Sequence, residues 1–281
     1  MTDAPTRDEL RAHLVLTMIA GDVATPRQNN LLHYRRMADG HPYYQFGLEL
    51  KPSWTERTVL EMMVERCGVD PDPAHLYGDD TIDPDITIDT LEAMGDRIGL
   101  AARRRENVVL ATGHPSTLSP LYQDVARALA AAGCRLLTPA ATWTYEIETG
   151  YGGADLRRIV YAEPGVAMLE DTRGRTHHTH DSKPMEAMLR ALTDSASTDS
   201  PEAKPDIWPD LAIADHGWAG AAGQAGIDTV GFADCNDPAL FAGAAEGKID
   251  VAVPLDDGVA PHHYAPLTAY ILARAGLRPG G

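Results

Sequence analysis

The 281-residue chain is 44% hydrophobic and 23% charged, which fits a globular protein and excludes a disordered one. Its 24 Lys and Arg against 41 Asp and Glu give a net charge of −17, so nucleic-acid binding is not expected. Three cysteines (Cys67, Cys134 and Cys235) without CxxC spacing are expected to be reduced thiols. No basic leader and no apolar run of about 18 residues is read, so neither export nor a membrane span is expected, and the expected location is cytoplasmic.

Residues 1–105 are expected to form a helical N-terminal portion. DELRAHLVLTMIAGDV and SWTERTVLEMMVERCG place apolar residues three and four apart, the period of a helix with one buried face. Ser53 followed by Glu56 reads as a capping box, and Gly68 as a helix stop. TIDTLEAMGDRIGLAARR is a further helix after the Asp- and Pro-rich connector 70–85. No strand is expected here. ATPRQNNLLHYRR and ADGHPYYQFG carry Arg27, Asn29, Tyr43 and Tyr44, which suit either a nonreacting part of a substrate or a plain helix connection.

Residues 106–281 read as a Rossmann-like α/β domain with a mostly parallel sheet. NVVLATGHP, PLYQDVARALAAAGC and RLLTPA give strand, helix and strand. RRIVYAEPGVAMLEDTRGRTHHTH predicts antiparallel strands that turn at Glu163-Pro164-Gly165 and at Arg173-Gly174. PMEAMLRAL is a helix with Pro184 in its first turn. After the polar loop 195–206 come three more strand-helix units, starting at DLAIAD, TVGFAD and VAVPLDD. Short buried strands alternating with helices imply a sheet covered on both faces.

Ligands of such sheets bind beyond the carboxyl ends of the strands. Those ends carry Thr112-Gly113-His114-Pro115-Ser116, Asp215-His216, Asp234-Cys235-Asn236-Asp237 and Asp256-Asp257. Carboxylates with imidazoles suit a divalent cation. Oxygen-rich sets favour Mg²⁺ or Mn²⁺, and added imidazole favours Mn²⁺, Zn²⁺ or Fe²⁺. Asp215 and Asp234 are the expected carboxylate ligands, with helix capping as the plainer reading of each acid. Asp237, before Pro238, reads as a cap. RTHHTHDSKPMEAML would present His178 and His180 on one face of a strand as further ligands, with His177 turned away into solvent. Thr112, Gly113, Ser116 and Lys183 are candidates to hold a phosphate, with Arg27 and Asn236 as outer substrate contacts. His114, His216 and Asp181 are the candidate acid–base groups. Gly217, Gly220, Gly223 and Gly226 permit either phosphate approach or tight helix packing, but match neither GxGxxG nor a P-loop.

TPRQNN, ATGHPSTL, HTHDSKPMEAML, ADHGWAGAAGQAGIDTVGFADCNDPAL and VPLDDGVAPHHYAPL together resemble a family of actinobacterial proteins designated phosphatase, across residues 20–272. The resemblance implies hydrolysis of a phosphomonoester. Through relatives in antibiotic pathways it also implies a nucleotide or sugar phosphate as substrate. DCNDPAL is similar to the late acidic motif of haloacid-dehalogenase-type phosphatases, but no DxDG[TV] motif occurs, which excludes an aspartyl-phosphate nucleophile. The expectation is therefore a metal-dependent phosphatase acting on a small phosphorylated substrate. A sugar-phosphate isomerase and a non-enzymatic nucleotide-binding module are the alternatives.

Overall fold

A computed structural model describes residues 4–149, 153–194 and 207–278. The polar stretch 195–206, expected to be a loop, lies outside the described residues. Helix α1 (Arg7–Leu16) starts with a capping box between Thr6 and Glu9. Two strands follow that the sequence did not predict, β1 (Gly21–Pro26) and β2 (Asp79–Ile82), which pair antiparallel. β1 buries only alternate residues and ends in proline, and its partner lies beyond three intervening helices, so no hairpin signal exists. Those helices are α2 (Arg27–Ala38), the short α3 (Pro42–Gln45) and α4 (Glu56–Cys67). The α4 cap is Thr55 with Thr58, not Ser53 with Glu56, whereas Gly68 stops the helix in the left-handed region (φ 79°) as expected. α5 (Pro84–Arg104) is capped by Asp83.

The main sheet is mixed and mostly parallel. Its strands are β3 (Asn107–Ala111), β4 (Arg135–Leu136), β5 (Thr144–Thr149), β6 (Gly153–Ala162), β7 (Val166–Asp171), β8 (Thr176–His177), β9 (Leu211–Ala214), β10 (Asp228–Ala233) and β11 (Val251–Pro254). The order is β11-β10-β9-β3-β7-β6-β5, with β4 on the first part of β3 and β8 on β7. Neighbours from β11 through β3 to β7 are parallel; β5, β6 and β7 form an antiparallel meander. β5 was not predicted, although TYEIET alternates in the manner of a half-buried strand. Helices α5, α6 (Ser119–Ala131) and α10 (Ala265–Arg274) pack together against one face of the sheet. α7 (Lys183–Asp194), α8 (His216–Gln224) and α9 (Pro238–Ala245) form the opposite layer, with α4 docked on α9. One hydrophobic core runs through both parts of the chain, from Leu14, Val59 and Ile98 to Val109, Ile213 and Phe232. The three cysteines are buried free thiols. No helix among the described residues is long and apolar enough to cross a membrane.

The topology locates a crevice. From β3 the chain goes to β4 on one side and later returns to β9 on the other, so the switch point lies between β3 and β9. Ala111 pairs with Ala214, so Thr112 and Asp215 leave the sheet side by side. Ala233 pairs with Pro254, which brings Asp234 close to the end of β11.

The glycines of α8 serve packing rather than phosphate approach. A Cβ on Gly217 would lie 2.4 Å from the His180 carbonyl oxygen, and one on Gly220 would lie 2.0 Å from that of Phe46. α8 thus holds both the histidine run and the segment after α3 by direct backbone contact. Gly220→Ala should destabilise the protein by about 1–3 kcal/mol, the usual cost of overpacking a close contact. Urea unfolding checks this; an unchanged midpoint would show that α8 can shift without loss.

Candidate active site

Four imidazoles from three segments meet at the switch point. His114 follows β3, His216 opens α8, and His178 and His180 lie between β8 and α7. β8 ends at His177, so His178 and His180 project from a loop and not from a strand as expected. The Thr179 N–H donates to the Gly113 carbonyl at 3.0 Å and pins this loop to the end of β3. The His180 and His216 rings stack at 4.6 Å, while His178 stands edge-on to His114 at 4.1 Å. His178 Nδ1 lies 2.8 Å from His114 Nε2, so one of the two nitrogens carries a shared proton. His177 does turn away, but it is not merely solvated: its Nε2 is 3.0 Å from Asp171.

Asp215 organises the site from behind. Its Oδ2 accepts from the Thr112 hydroxyl at 2.7 Å, and its Oδ1 accepts from the Gly113 N–H. Oδ1 also lies 2.9 Å from His216 Nδ1. A carboxylate held on one imidazole nitrogen fixes the ring and frees the other, as second-shell acids do behind metal-binding histidines. His216 Nε2 faces Asp237 Oδ2 at 3.1 Å and Asp257 Oδ2 at 3.5 Å. His114 Nδ1 lies 2.9 Å from Asp257 Oδ2. At these distances hydrogen bonds would be expected, yet His114 Nδ1, His216 Nε2 and Asp257 Oδ2 make none, and neither do the buried His180 Nδ1 and Asp237 Oδ1. A buried polar atom left so costs about 1–3 kcal/mol, and five on neighbouring residues make this cluster the candidate site.

Two of the imidazoles are held neutral and His216 is held charged. Burial, then the neighbouring His216, holds His180 down at about 2, so its lone pair stays free. Burial likewise lowers His178, helped by His114 and His216. Burial would also lower His216, but Asp237 and Asp215 outweigh it and hold that imidazole well above its ordinary value. Burial would raise Asp237, but His216 overrides it and pulls the acid below the usual carboxylate range. Two imidazole-containing sets, His114-His178-His216 and His180-His216-Asp237, each bring ligand atoms within 4.8 Å of one another, as does the all-carboxylate set Asp234-Asp256-Asp257.

Several residues stand elsewhere than the sequence suggested. Asp215 joins none of these three sets, and its two oxygens are committed to Thr112, Gly113 and His216. Thr112 and Gly113 therefore hold a carboxylate and do not form an open phosphate cradle. Asp237 does not cap α9 through its side chain, despite preceding Pro238, and Asp215 does not cap α8. Arg27 is fully buried, paired with Asp80 at 2.7 Å and bonded to the His75 and Asp72 carbonyls, beyond reach of a substrate. Ser116 is exposed on the turn before α6 and lines neither opening to the site. Asp181 and Lys183 do line a groove of 830 Å³, with Tyr43, Tyr145, His178 and His180. Lys183 is largely exposed, 5.8 Å from the Tyr145 ring centre. Asn236 lines a second opening of 430 Å³ beside Asp234, Asp256 and Asp257. Sequence reasoning missed Asp257 and Asp237 as site acids. Tyr43, read as a possible substrate contact, packs on His180 at 4.9 Å, and Phe46, which the sequence did not single out, packs on it at 5.0 Å.

A family model described as Phosphatase matches residues 5–279. The chain belongs to the Phosphatase family. Phosphatase SCO2771 of Streptomyces coelicolor is 48% identical to it over 277 residues, covering 98% of each chain. Membership across nearly the whole length means that the switch-point cluster lies within the family's shared body.

If the cluster binds a divalent ion, the native state gains stability by mass action. Mn²⁺ or Zn²⁺ at about a hundredfold its Kd should raise the unfolding free energy by about 2.7 kcal/mol. Asp237→Asn, which keeps shape and removes charge, should abolish most of that gain. Equal unfolding midpoints of the wild type with and without ions would show that no ion is held.

Proposed function

We propose that this chain is a divalent-metal-dependent phosphatase acting on a small phosphomonoester. The observation that carries this reading is that His180, His216 and Asp237 bring ligand atoms within 4.8 Å of one another, each with a buried atom that has no hydrogen-bond partner, beside a groove that His180 lines. Family membership supports the reaction class, and the cluster supports the metal.

His180, Asp237 and, on giving up its Nε2 proton, His216 would hold the cation, with Asp215 behind His216 fixing its ring. When bound, a divalent ion neutralises phosphate charge and orients a water for in-line attack. A mixed nitrogen and oxygen set fits Mn²⁺, Zn²⁺ or Fe²⁺, and Mg²⁺ less well. The His114–His178 pair, sharing a proton across 2.8 Å, is placed to protonate the leaving alkoxide. His216 is unsuited to that task because Asp215 holds its Nδ1 and its Nε2 is the proposed metal ligand. Lys183, at the start of α7 and on the groove wall, supplies a point charge for the phosphate. Asp181 accepts from the Lys183 N–H at 3.0 Å and steadies that turn. A groove of 830 Å³ suits a sugar or nucleotide monophosphate.

Phosphate release should be measured over a panel of nucleotides and sugar phosphates, after exhaustive chelation and after adding back single metals. Chelation should abolish turnover and one metal should restore it. Full turnover by a chain shown to be metal-free by elemental analysis would end this reading.

Variants separate the roles. Asp215→Asn should lower kcat at least about tenfold, roughly 1.4 kcal/mol of transition-state stabilisation, while leaving the chain folded. His180→Ala should raise the metal concentration needed for activity. Lys183→Ala should raise KM and leave metal affinity nearly unchanged. Calorimetric titrations with Mn²⁺ and with inorganic phosphate distinguish the last two; if neither variant changes either titration, the histidine run and its lysine lie outside the site.

A further inference from the structure

Beside the imidazole cluster lies a second set of ligand atoms of different chemistry. Asp234 follows β10, and Asp256 and Asp257 follow β11; each offers an oxygen within 4.8 Å of the others. All three are buried, with exposures of 4%, 7% and 5%. No lysine or arginine among the described residues pairs with any of them. Asp234 is braced by the Thr25 hydroxyl at 2.7 Å and the Cys235 N–H at 2.6 Å, and Asp256 by the Gly258 N–H at 2.9 Å. Such bonds orient carboxylates without neutralising them. Asp257 also lacks a partner, because its buried Oδ2, which faces the imidazoles too, has no hydrogen bond although His114 Nδ1 is 2.9 Å away. The set opens on its own 430 Å³ cavity, lined by Thr25, Asn236 and Gly258, and not on the groove of His178 and Lys183.

We propose that Asp234, Asp256 and Asp257 form a second cation site, selective for a hard divalent ion such as Mg²⁺ or Mn²⁺. Three carboxylates in one buried place repel one another unless a cation sits among them or one of them takes up a proton. An all-oxygen set selects hard ions, whereas the neighbouring imidazoles select softer ones. Asp257 faces both sites, since its Oδ2 is also 3.5 Å from His216 Nε2. The second ion therefore lies next to the first and shares this carboxylate wall. The catalytic meaning of the site rests on the phosphatase reading above; its existence does not.

The test counts ions. The full-length chain, stripped by chelation, is dialysed against Mn²⁺ and its bound metal measured by elemental analysis and calorimetry. Two Mn²⁺ per wild-type chain are expected. Asp256→Asn and, separately, Asp234→Asn should retain one, as should His180→Ala. Mg²⁺ should displace the ion kept by His180→Ala at least tenfold more readily than the one kept by Asp256→Asn. Circular dichroism establishes that each variant is folded, and the wild-type count stands even if one is not. A single Mn²⁺ per wild-type chain overturns the proposal, as do two ions that persist in both Asp→Asn variants. One ion with phosphate release would overturn the second site and keep the phosphatase reading. Two ions without phosphate release would do the reverse.

Discussion

The buried carboxylate of Asp215 is the interaction on which the rest of the site depends. It has no exposure to water and must be satisfied entirely by protein groups. The Thr112 hydroxyl and the Gly113 N–H come from the end of β3, and the His216 ring comes from the start of α8. One anion therefore closes the crevice between the two strands at which the chain reverses direction across the sheet. Removing one partner of such a charge leaves an uncompensated ion in the interior, which typically costs 3–5 kcal/mol. The same bonds set the direction of His216 Nε2, so the stability of the switch point and the geometry of the cluster have one cause.

Around that anchor, topology delivers two kinds of ligand from different sides, which meet at Asp237 and Asp257. The imidazoles come from β3, α8 and the loop before α7, on the side of the groove. The carboxylates come from β10 and β11, where β1 covers them and contributes Thr25, and where the Ile19 carbonyl accepts from the Asp256 N–H. Burial acts in opposite senses on the two sets. It keeps His178 and His180 neutral, which leaves lone pairs available, and, with Asp257 and Asp256 alongside, it raises Asp234 well above the ordinary carboxylate value. A positive ion relieves both conditions. The net charge of −17 adds a long-range field that favours cations and opposes phosphates, so an anionic substrate needs local positive charge to approach.

Much of this arrangement was legible in the sequence because parallel strands are short and apolar and their ends are polar. NVVLATGH, DLAIADH, TVGFAD and VAVPLDD identified the sheet and the segments that meet at its edge. The histidine run was legible as a site, since three imidazoles close together are hard to explain as a merely solvated stretch, although its strand register was not. Exposure and partner were not legible. Arg27 has the composition of a substrate contact, yet Asp80 sits far along the chain and seals it. Thr112 and Gly113 resemble a phosphate cradle until the neighbouring strand delivers Asp215 to the same atoms. Asp237 precedes a proline at a helix start, the ordinary place for a cap, and only the position of His216 gives it another use. Of the Asp256-Asp257 doublet, nothing local decides which acid turns toward the imidazoles. β1 escaped notice because a six-residue strand with one distant partner carries little periodicity.

His216 shows how the packing sustains a conformation that the residue would not choose. Its φ of 46° lies in the left-handed region, which costs a non-glycine residue about 1–2 kcal/mol. Such outliers persist only where the surroundings over-determine them, and they concentrate at functional sites. Three constraints act here. Asp215 holds the ring from one side; His180 stacks on it from another; and the Phe46 ring lies edge-on at 5.5 Å. Behind it, Gly217 and Gly220 bring α8 against the backbones of His180 and Phe46, so the helix cannot rotate to relax the turn. The stretch that begins RTHHTH is thus fixed by the helix it faces, and that helix is fixed in turn by the imidazole stack. The strain at His216 and the absence of side chains at Gly217 and Gly220 are two parts of one device for presenting Nε2 to the cluster.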